Sequence, residues 1–294
     1  MPFDPEFLFG LLRIATPLMF VAMGVLIAER SGVLFIGVEG AMLIGAFAGF
    51  LGAGLLGSAW LGLACGVLAG VLCGAAMALL TVSIPANQVV IGLAFNIVCA
   101  GITSFAFRLT ASVAPSRTPL LEWPVAEGTT LARLLGYLPP LTVLALALSA
   151  ATAWMLFRTA PGLMLRSAGH NRHAAVSAGV NVGAIRSVAL LTAGAFAGLG
   201  GAALTAGWIR SFSDDVTMGR GFIALAAVYF GRWYPGWTIA ACIIFGIGEA
   251  MAFRAQTFGG NPHLYLMIPY LLTLAGVALA GRAQGPQEAG RTDA

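Results

Sequence analysis

Long apolar runs of about 20 residues recur along this chain and are separated by short polar stretches. As an α-helix, a run of that length crosses a hydrocarbon core of about 30 Å. Soluble domains carry about 25% charged residues. Here charged residues make up only 9% of the 294 positions, too few to cover a water-facing surface. The sequence therefore predicts an all-α polytopic membrane protein with about 8–10 transmembrane helices.

A ninth run, 221–231, is only 11 residues long and ends directly before Arg232, so it is predicted to be a half-helix or a tilted short span. Counting it as a crossing places the N-terminus outside and the C-terminus inside. No basic region or cleavage site precedes the first long run, which is therefore predicted to be a retained span. The long runs are 10–28, 36–56, 60–80, 86–107, 140–157, 185–208, 236–253 and 264–280.

The polar stretches predict the domain organisation. Residues 1–281 are expected to form one transmembrane domain, followed by a disordered tail at 282–294. The proline-containing stretch 108–138 mixes acidic and basic residues and is predicted to be an external loop. The stretch 159–185 gathers arginine and histidine. It is predicted to be cytoplasmic, because loops with cationic side chains beside spans tend to stay on that side.

The cytoplasmic stretch also has a helical pattern. Selected residues from Leu163 to Ala178 repeat at intervals of three to five, and Gly179 follows where a helix C-cap glycine would stand. This spacing favours a short amphipathic helix at the membrane surface. The alternative from periodicity alone is a solvated connector.

Small residues at every fourth position predict close helix packing. Such spacing places them on one face of a helix, where two backbones approach closely in lipid. The three runs that carry the pattern contain Gly62, Gly66, Gly70, Gly74 and Ala78; Gly194, Gly198 and Ala202; and Gly45, Gly49 and Ala53.

Polar side chains inside the spans are the candidate solute-binding groups. Amides and ionisable groups are costly in a membrane unless they find partners or line a wet cavity. Uncharged amides suit a neutral, hydroxyl-rich or base-bearing solute. The alternatives are interhelical hydrogen bonds for the amides and, for the two glutamates, structural pairing with Arg30 or Arg220. The candidate pathway residues are Asn87, Gln88, Asn96, Glu39, Glu249 and Arg220.

Several functional classes are disfavoured by what the sequence lacks. It contains no lysine and therefore no Walker A phosphate loop, so the chain is not expected to hydrolyse ATP by that route. The four cysteines are scattered through apolar runs without paired metal-ligand spacing, and no metal site is predicted. No nucleophile, histidine and acid set lies at matching depth, so an intramembrane enzyme is disfavoured. The net charge of +4 matches positive-inside loops rather than a nucleic-acid partner.

Four stretches together resemble one family. They are SGVLFIGVEGAMLIGAFAG from Ser31, PANQVVIGLAFNIVCAGITSF from Pro85, GLMLRSAGHNRHAAVSAGVN from Gly162 and GRGFIALAAVYFGRWYPGW from Gly219. Their order and spacing are similar to the membrane subunits of ATP-binding cassette (ABC) importers in the branched-chain amino acid, ribose and nucleoside permease superfamily. The stretches from Ser31 and Gly219 are most similar in sequence to the nucleoside or simple-sugar branch of that superfamily.

The resemblance implies a type II importer fold and transport by alternating access, with no bound cofactor in this chain and ATP bound by a partner subunit. It also implies an ABC ATPase, a second homologous permease that is identical or related, and an extracytoplasmic solute-binding protein, all at the bacterial inner membrane. The remaining alternatives are a branched-chain amino acid permease and an ion-coupled secondary transporter. Family loops usually read GxNPxAA, whereas here Arg172 replaces the proline. The implied ATPase-coupling residues are Leu163, Arg166, Gly169, Asn171, Ala174, Ala175 and Gly179.

Overall fold

The computed structural model describes residues 5–84, 86–110 and 139–256, together with positions 117–119, 121, 271, 285–286 and 289–290. In that part of the chain all regular structure is helical, and π-helical turns extend α3 and α8. The helices are α1 Pro5–Arg30, α2 Val38–Leu55, α3 Ala59–Ala78, α4 Gln88–Thr110, α5 Pro140–Arg158, α6 Ala160–His170, α7 Arg172–Ser177, α8 Val182–Leu204, α9 Arg220–Phe230 and α10 Pro235–Gln256.

Seven of these helices are long and apolar enough to cross a membrane, and α9 is a shorter apolar helix. The all-α polytopic prediction is confirmed, and seven of the eight long predicted runs coincide with these spans. The eighth, 264–280, lies outside the described residues apart from position 271. Most of the predicted external loop 108–138 and most of the tail 282–294 are also outside them, so the domain boundaries and the sidedness of the termini stay predictions.

Helix α1 lies at the centre of the bundle and α4 lies at its edge. In α1, 89% of the most apolar window is buried, because α1 packs against α8, α10, α9 and α5. In α4 the corresponding share is 17%. The face of α4 that carries Gln88 is buried, whereas the opposite apolar face is exposed. Gln88, Asn96 and Thr103 of α4 are therefore turned toward the bundle.

Helices α2, α3 and α8 pack through their small residues, as the four-residue spacing predicted. A Cβ added to Gly66 of α3 would lie 2.5 Å from the Cβ of Ala202 of α8 and 3.0 Å from the carbonyl oxygen of Gly45 of α2. A Cβ on Gly49 would lie equally close to the Cβ of Ala202. Backbones at this separation leave no room for larger side chains at these positions, so the three helices pack tightly. In lipid, the hydrophobic effect does not drive helices together, and dispersion contacts hold them instead.

Candidate functional site

Helix α9 reaches only part of the way through the bundle. The turn that follows it contains Trp233, whose carbonyl oxygen accepts hydrogen bonds from Arg30, the last residue of α1. The C-terminal ends of α1 and α9 therefore lie at the same side of the bundle. Eleven residues of α-helix are about 16 Å long, roughly half of a hydrocarbon core of about 30 Å. The N-terminus of α9 thus lies near mid-depth.

Glu39 joins the N-terminus of α9 to the first turn of α2. Its Oε1 accepts hydrogen bonds from the Thr217 hydroxyl at 2.5 Å and from the Gly219 amide at 3.0 Å, and its Oε2 accepts from the Gly221 amide at 2.7 Å. A carboxylate satisfies the unpaired amides at a helix N-terminus and complements the helix dipole. We call this contact between residues 37–40 and 217–221 the half-helix junction.

The sequence predicted the short helix on one side of this junction, from the run 221–231, and the structure brings its N-terminus against the first turn of α2. Helix α2 begins at Val38, two residues inside the predicted run 36–56. The side chain of Glu39 binds Thr217 and two backbone amides, whereas pairing with Arg30 or Arg220 was one alternative that the sequence left open for it. The reason is local. The N-terminus of α9 already supplies donors for both carboxylate oxygens.

Two amides of α4 hold the irregular segment that leads into α2. Asn96 accepts from the Gly40 amide at 2.8 Å through Oδ1 and donates to the Ile36 carbonyl at 2.9 Å through Nδ2. Gln88 is buried and accepts from the Leu34 amide at 2.9 Å. These bonds provide for backbone groups that a late-starting helix leaves without helical partners. Interhelical bonding was one alternative for these amides, and it is present; their role in a solute pathway stays a prediction.

Replacing Asn96 with leucine is expected to destabilise the protein by about 2–3 kcal/mol, because the change leaves the Gly40 amide and the Ile36 carbonyl without their partner. Denaturant unfolding in mixed micelles measures the loss. Ile97→Leu is the control, since Ile97 is the adjacent residue of α4 and its side chain is exposed. Equal stability of Asn96→Leu and the control would contradict the assigned role.

Asn87 lies apart from the junction. Its side chain is exposed, and its Oδ1 accepts from the amides of Val89 at 3.0 Å and Val90 at 3.3 Å. This is the geometry of an asparagine at a helix N-cap. The structure therefore places Asn87 as the cap of α4. In the sequence it is grouped with Gln88 and Asn96, because all three are amides in one apolar run.

Arg220 and Glu249 form a buried ion pair beside the junction. Arg220 Nε donates to Glu249 Oε1 at 3.0 Å, and a terminal guanidinium nitrogen makes a second contact with the same oxygen. Arg220 is 4% exposed and Glu249 is 8% exposed. Arg220 also donates to the Val216 carbonyl at 3.2 Å. Pairing with Arg220 was one alternative for Glu249, and it is present; it ties the first residue of α9 to α10, while the role of both residues in a solute pathway stays a prediction.

The sequence predicted one short helix in the stretch 159–185, and the structure has two there, α6 and α7. The break is at Asn171, which has an extended backbone and whose side chain accepts from the Ala174 amide at 3.0 Å. Helix α7 begins at Arg172, the position where family members usually have proline. Proline is favoured at a first helical position because its missing N–H has no helical partner there. Arginine keeps its N–H, but a first helical position does not need that group for a helical bond, and α7 still begins at Arg172 behind the Asn171 cap.

Gly179 ends α7 as the sequence predicted. Its φ is +81°, its amide donates to the Val176 carbonyl at 2.9 Å, and the Val180 amide donates to the Ala175 carbonyl at 3.0 Å. This pair of bonds is a Schellman motif, which requires a left-handed residue at the position that Gly179 occupies.

Helices α6 and α7 together present an exposed apolar surface, which we call the α6–α7 face. Gly169 and Ala175 are buried against the bundle. The exposed fractions of the α6–α7 face are 61% for Leu163, 44% for Met164 and 54% for Val176, and Ala174 is also exposed. Exposed apolar side chains gathered on two neighbouring short helices favour a protein interface.

One group of contacts was not predicted from the sequence: the joint around Trp233. The Trp233 carbonyl accepts from Arg30 Nε at 3.0 Å and from a terminal nitrogen at 2.7 Å, and the indole Nε1 donates to Glu29 Oε2 at 2.6 Å. A Cβ on Gly169 would lie 2.9 Å from the Arg30 carbonyl carbon, so α6 packs directly on the end of α1. The charged pair Glu29–Arg30 at the end of an apolar run was the available signal. The described residues contain no group of three or more metal-ligating side chains.

Comparison with known proteins gives one family match and several relatives of nearly the same length. Residues 7–277 match the family described as branched-chain amino acid transport system, permease component. The chain is 35% identical to the guanosine ABC transporter permease protein NupQ of Bacillus subtilis, over 94% of this chain and 92% of that protein. It is 32% identical to the nucleoside ABC transporter permease protein NupC of Lactococcus lactis, over 96% and 94%. It is 30% identical to TsgC13 of Haloferax volcanii, named as a candidate glucose ABC transporter permease, over 95% and 93%. No solved structure matches the chain.

Proposed function

Because the chain belongs to the permease component family of branched-chain amino acid transport systems, we propose that it forms the translocation path for a nucleoside or simple sugar by alternating access. It is a multi-pass permease subunit of an ABC importer in the cytoplasmic membrane. The relatives named for guanosine and nucleoside transport share 35% and 32% of their residues with it over nearly the whole chain, which supports a nucleoside ahead of a sugar.

The half-helix junction is the observation that carries the proposal. Two helix N-termini meet near mid-depth, and short or broken helices at such a position mark the solute site in many transporters. The polar groups around the junction are a carboxylate already bound to amides, an internal ion pair and neutral amides. A zwitterionic amino acid needs fixed charges to bind, whereas a nucleoside or sugar needs hydrogen-bond donors and acceptors. These polar groups therefore favour a neutral solute over a branched-chain amino acid.

The proposed assembly contains an ABC ATPase that binds and hydrolyses ATP, a second homologous permease and an extracytoplasmic solute-binding protein. The α6–α7 face is the proposed contact for the ATPase, with Leu163, Ala174 and Val176 at its surface. Gly169 packs on the end of α1, and Arg30 binds the turn after α9. A movement of α6 would therefore reach α9 through two direct contacts. Coupling requires that the ATPase dimer bind two permease states with different affinity.

The second candidate function is ion-coupled transport by this chain alone, with Glu39 and Glu249 as ion sites. The observed contacts weigh against it. Both oxygens of Glu39 accept hydrogen bonds, and one oxygen of Glu249 is paired with Arg220. The other oxygen of Glu249 is buried and has no hydrogen-bond partner among the residues that the structure describes. That oxygen is the feature on which an ion-coupled mechanism would depend.

The proposal is tested by uptake into proteoliposomes that contain this chain with its candidate ATPase, second permease and binding protein. We expect ATP-dependent uptake of radiolabelled nucleosides that exceeds uptake of ribose and leucine. Uptake of ribose alone would keep the importer and transfer the substrate to sugars, whereas uptake of leucine alone would contradict the neutral-solute argument. Gradient-driven uptake by this chain alone, without ATP, would replace the proposal with the ion-coupled alternative.

A further inference from the structure

A cavity of about 370 Å³ lies at the end of the bundle where α1 and α9 finish. Four parts of the chain meet there: the end of α1, helix α6, the turn between α9 and α10, and positions 285–286. Its walls include Arg30, Arg166, His170, Arg232, Trp233 and Pro286. Because Arg30 ends a membrane-spanning helix, the cavity is at the level of the membrane surface on the side of the α6–α7 face.

Three guanidinium groups line this cavity, and none of the lining residues that the structure describes carries a carboxylate. No acidic side chain in the described part of the chain forms an ion pair with Arg30, Arg166 or Arg232. Glu29 is adjacent to Arg30 in sequence, but its Oε2 is bound by the Trp233 indole, and Glu29 is not part of the cavity wall. Like charges that converge repel each other, and an anion bound between these three arginines would offset that repulsion.

Two of the three arginines are held in place by other contacts. The guanidinium of Arg30 is fixed on the Trp233 carbonyl and lies 6.0 Å from the centre of the Phe157 ring. The guanidinium of Arg166 lies 5.1 Å from the centre of the same ring. Both distances are in the range of cation–π contacts. The two cations are therefore positioned before any ligand arrives.

The turn that contains Arg232 and the Nε atom of Arg166 are two further features of this cavity. Arg232 and Trp233 have φ values of +52° and +56°, a conformation that non-glycine residues adopt rarely and that is concentrated at functional sites. The Nε of Arg166 is buried and has no hydrogen-bond partner among the described residues. A buried donor normally has an acceptor. The cavity thus offers an anionic ligand three cationic side chains, two of which are held in place, and one buried hydrogen-bond donor without a described acceptor.

We propose that this cavity binds a phosphate-bearing anion, which bridges the ends of α1 and α6 and the turn after α9. Arginine side chains recognise phosphate through paired N–H donors, and a cavity of this volume admits a phosphate group with part of its substituent. At the membrane surface the same chemistry is offered by the headgroup of an anionic lipid and by a soluble phosphate. The ligand would stabilise the joint between the cytoplasmic helices and α9.

The test uses the full-length chain, delipidated in neutral detergent, and measures the midpoint of thermal unfolding. One arm titrates phosphatidylglycerol against phosphatidylcholine, and the other titrates inorganic phosphate. The variant is Arg232→Gln. The control is Arg158→Gln, which removes the same charge from an exposed position at the end of α5 that is not part of the cavity wall.

We expect the anion to raise the unfolding midpoint of the unchanged chain and of Arg158→Gln, and the half-saturating concentration to rise about fivefold in Arg232→Gln. An effect of phosphatidylglycerol alone identifies a lipid headgroup, and an equal effect of inorganic phosphate identifies a soluble anion. Unchanged anion binding in Arg232→Gln, or an equal loss in Arg158→Gln, would overturn the proposal. The midpoint of each variant without ligand reports any folding defect separately. Because no uptake is measured, the result does not depend on the transported solute.

Discussion

Replacing Glu249 with alanine is expected to lower the free energy of unfolding by about 3–5 kcal/mol. The change removes the carboxylate that pairs with the buried guanidinium of Arg220, and removing one partner of a buried ion pair costs far more than the net gain from the pair itself. Unfolding in mixed micelles, monitored by circular dichroism, measures the loss. Since Arg220 is the first residue of α9, we expect α9 to lose protection from hydrogen exchange as well.

The double variant Arg220→Met, Glu249→Leu separates the pair from its charges. Replacement of a buried ion pair by apolar residues of similar volume is often neutral or stabilising, so this variant should recover most of the stability lost in Glu249→Ala. If it is as unstable as the single variant, the loss comes from packing rather than from the uncompensated charge. Its uptake activity then tests the role of the pair. If the stable double variant transports solute, the pair is structural. If it is stable but does not transport solute, the charges of the pair serve the pathway.

The sequence was sufficient for the spans and for their closest packing, because both depend on local patterns. Apolar length determines which segments cross the membrane. The spacing of Gly66 and its neighbours at every fourth position determines which face of α3 approaches another backbone. The short run that became α9 was recognised for the same reason, since 11 residues cannot cross unaided.

The partners of polar side chains could not be predicted, because they depend on which distant segments meet. Glu39 binds residues about 180 positions away. In the sequence it was a candidate for an ion site or an arginine partner, and only the fold shows that the N-terminus of α9 supplies its donors. Asn171 shows the same limit locally. Its neighbours have helical spacing, but the Asn171 side chain accepts a hydrogen bond from the Ala174 amide, and the helix is interrupted there.

The α6–α7 face and the joint at Trp233 differ in how they could have been found. The exposed apolar residues of the face lie in a short segment with helical periodicity, and resemblance to a family identified its role. The joint combines a backbone carbonyl, two charged residues of α1 and left-handed residues after α9. A left-handed arginine or tryptophan has no sequence signature, so this contact became visible only in three dimensions.

Replacing Ala174 with glutamate is expected to abolish ATP-dependent uptake while leaving the permease folded. Ala174 is exposed on the α6–α7 face, so the new carboxylate would be buried against the proposed ATPase at a high desolvation cost. The same change suits the isolated helix. Ala174 is the third residue of α7, and an acid at that position complements the helix N-terminus. We therefore expect the stability of the permease alone to change by less than about 0.5 kcal/mol.

Ala184→Glu is the matched control, because Ala184 is the third residue of α8, is exposed and is capped by Asn181 as Ala174 is capped by Asn171. It introduces the same charge in the same local geometry, but outside α6 and α7. Uptake and ATPase binding should remain in the control and be lost in Ala174→Glu. Equal loss in both variants would show that negative charge anywhere on this side prevents assembly. Binding of the ATPase to Ala174→Glu without uptake would mean that the α6–α7 face transmits movement rather than providing the docking contact.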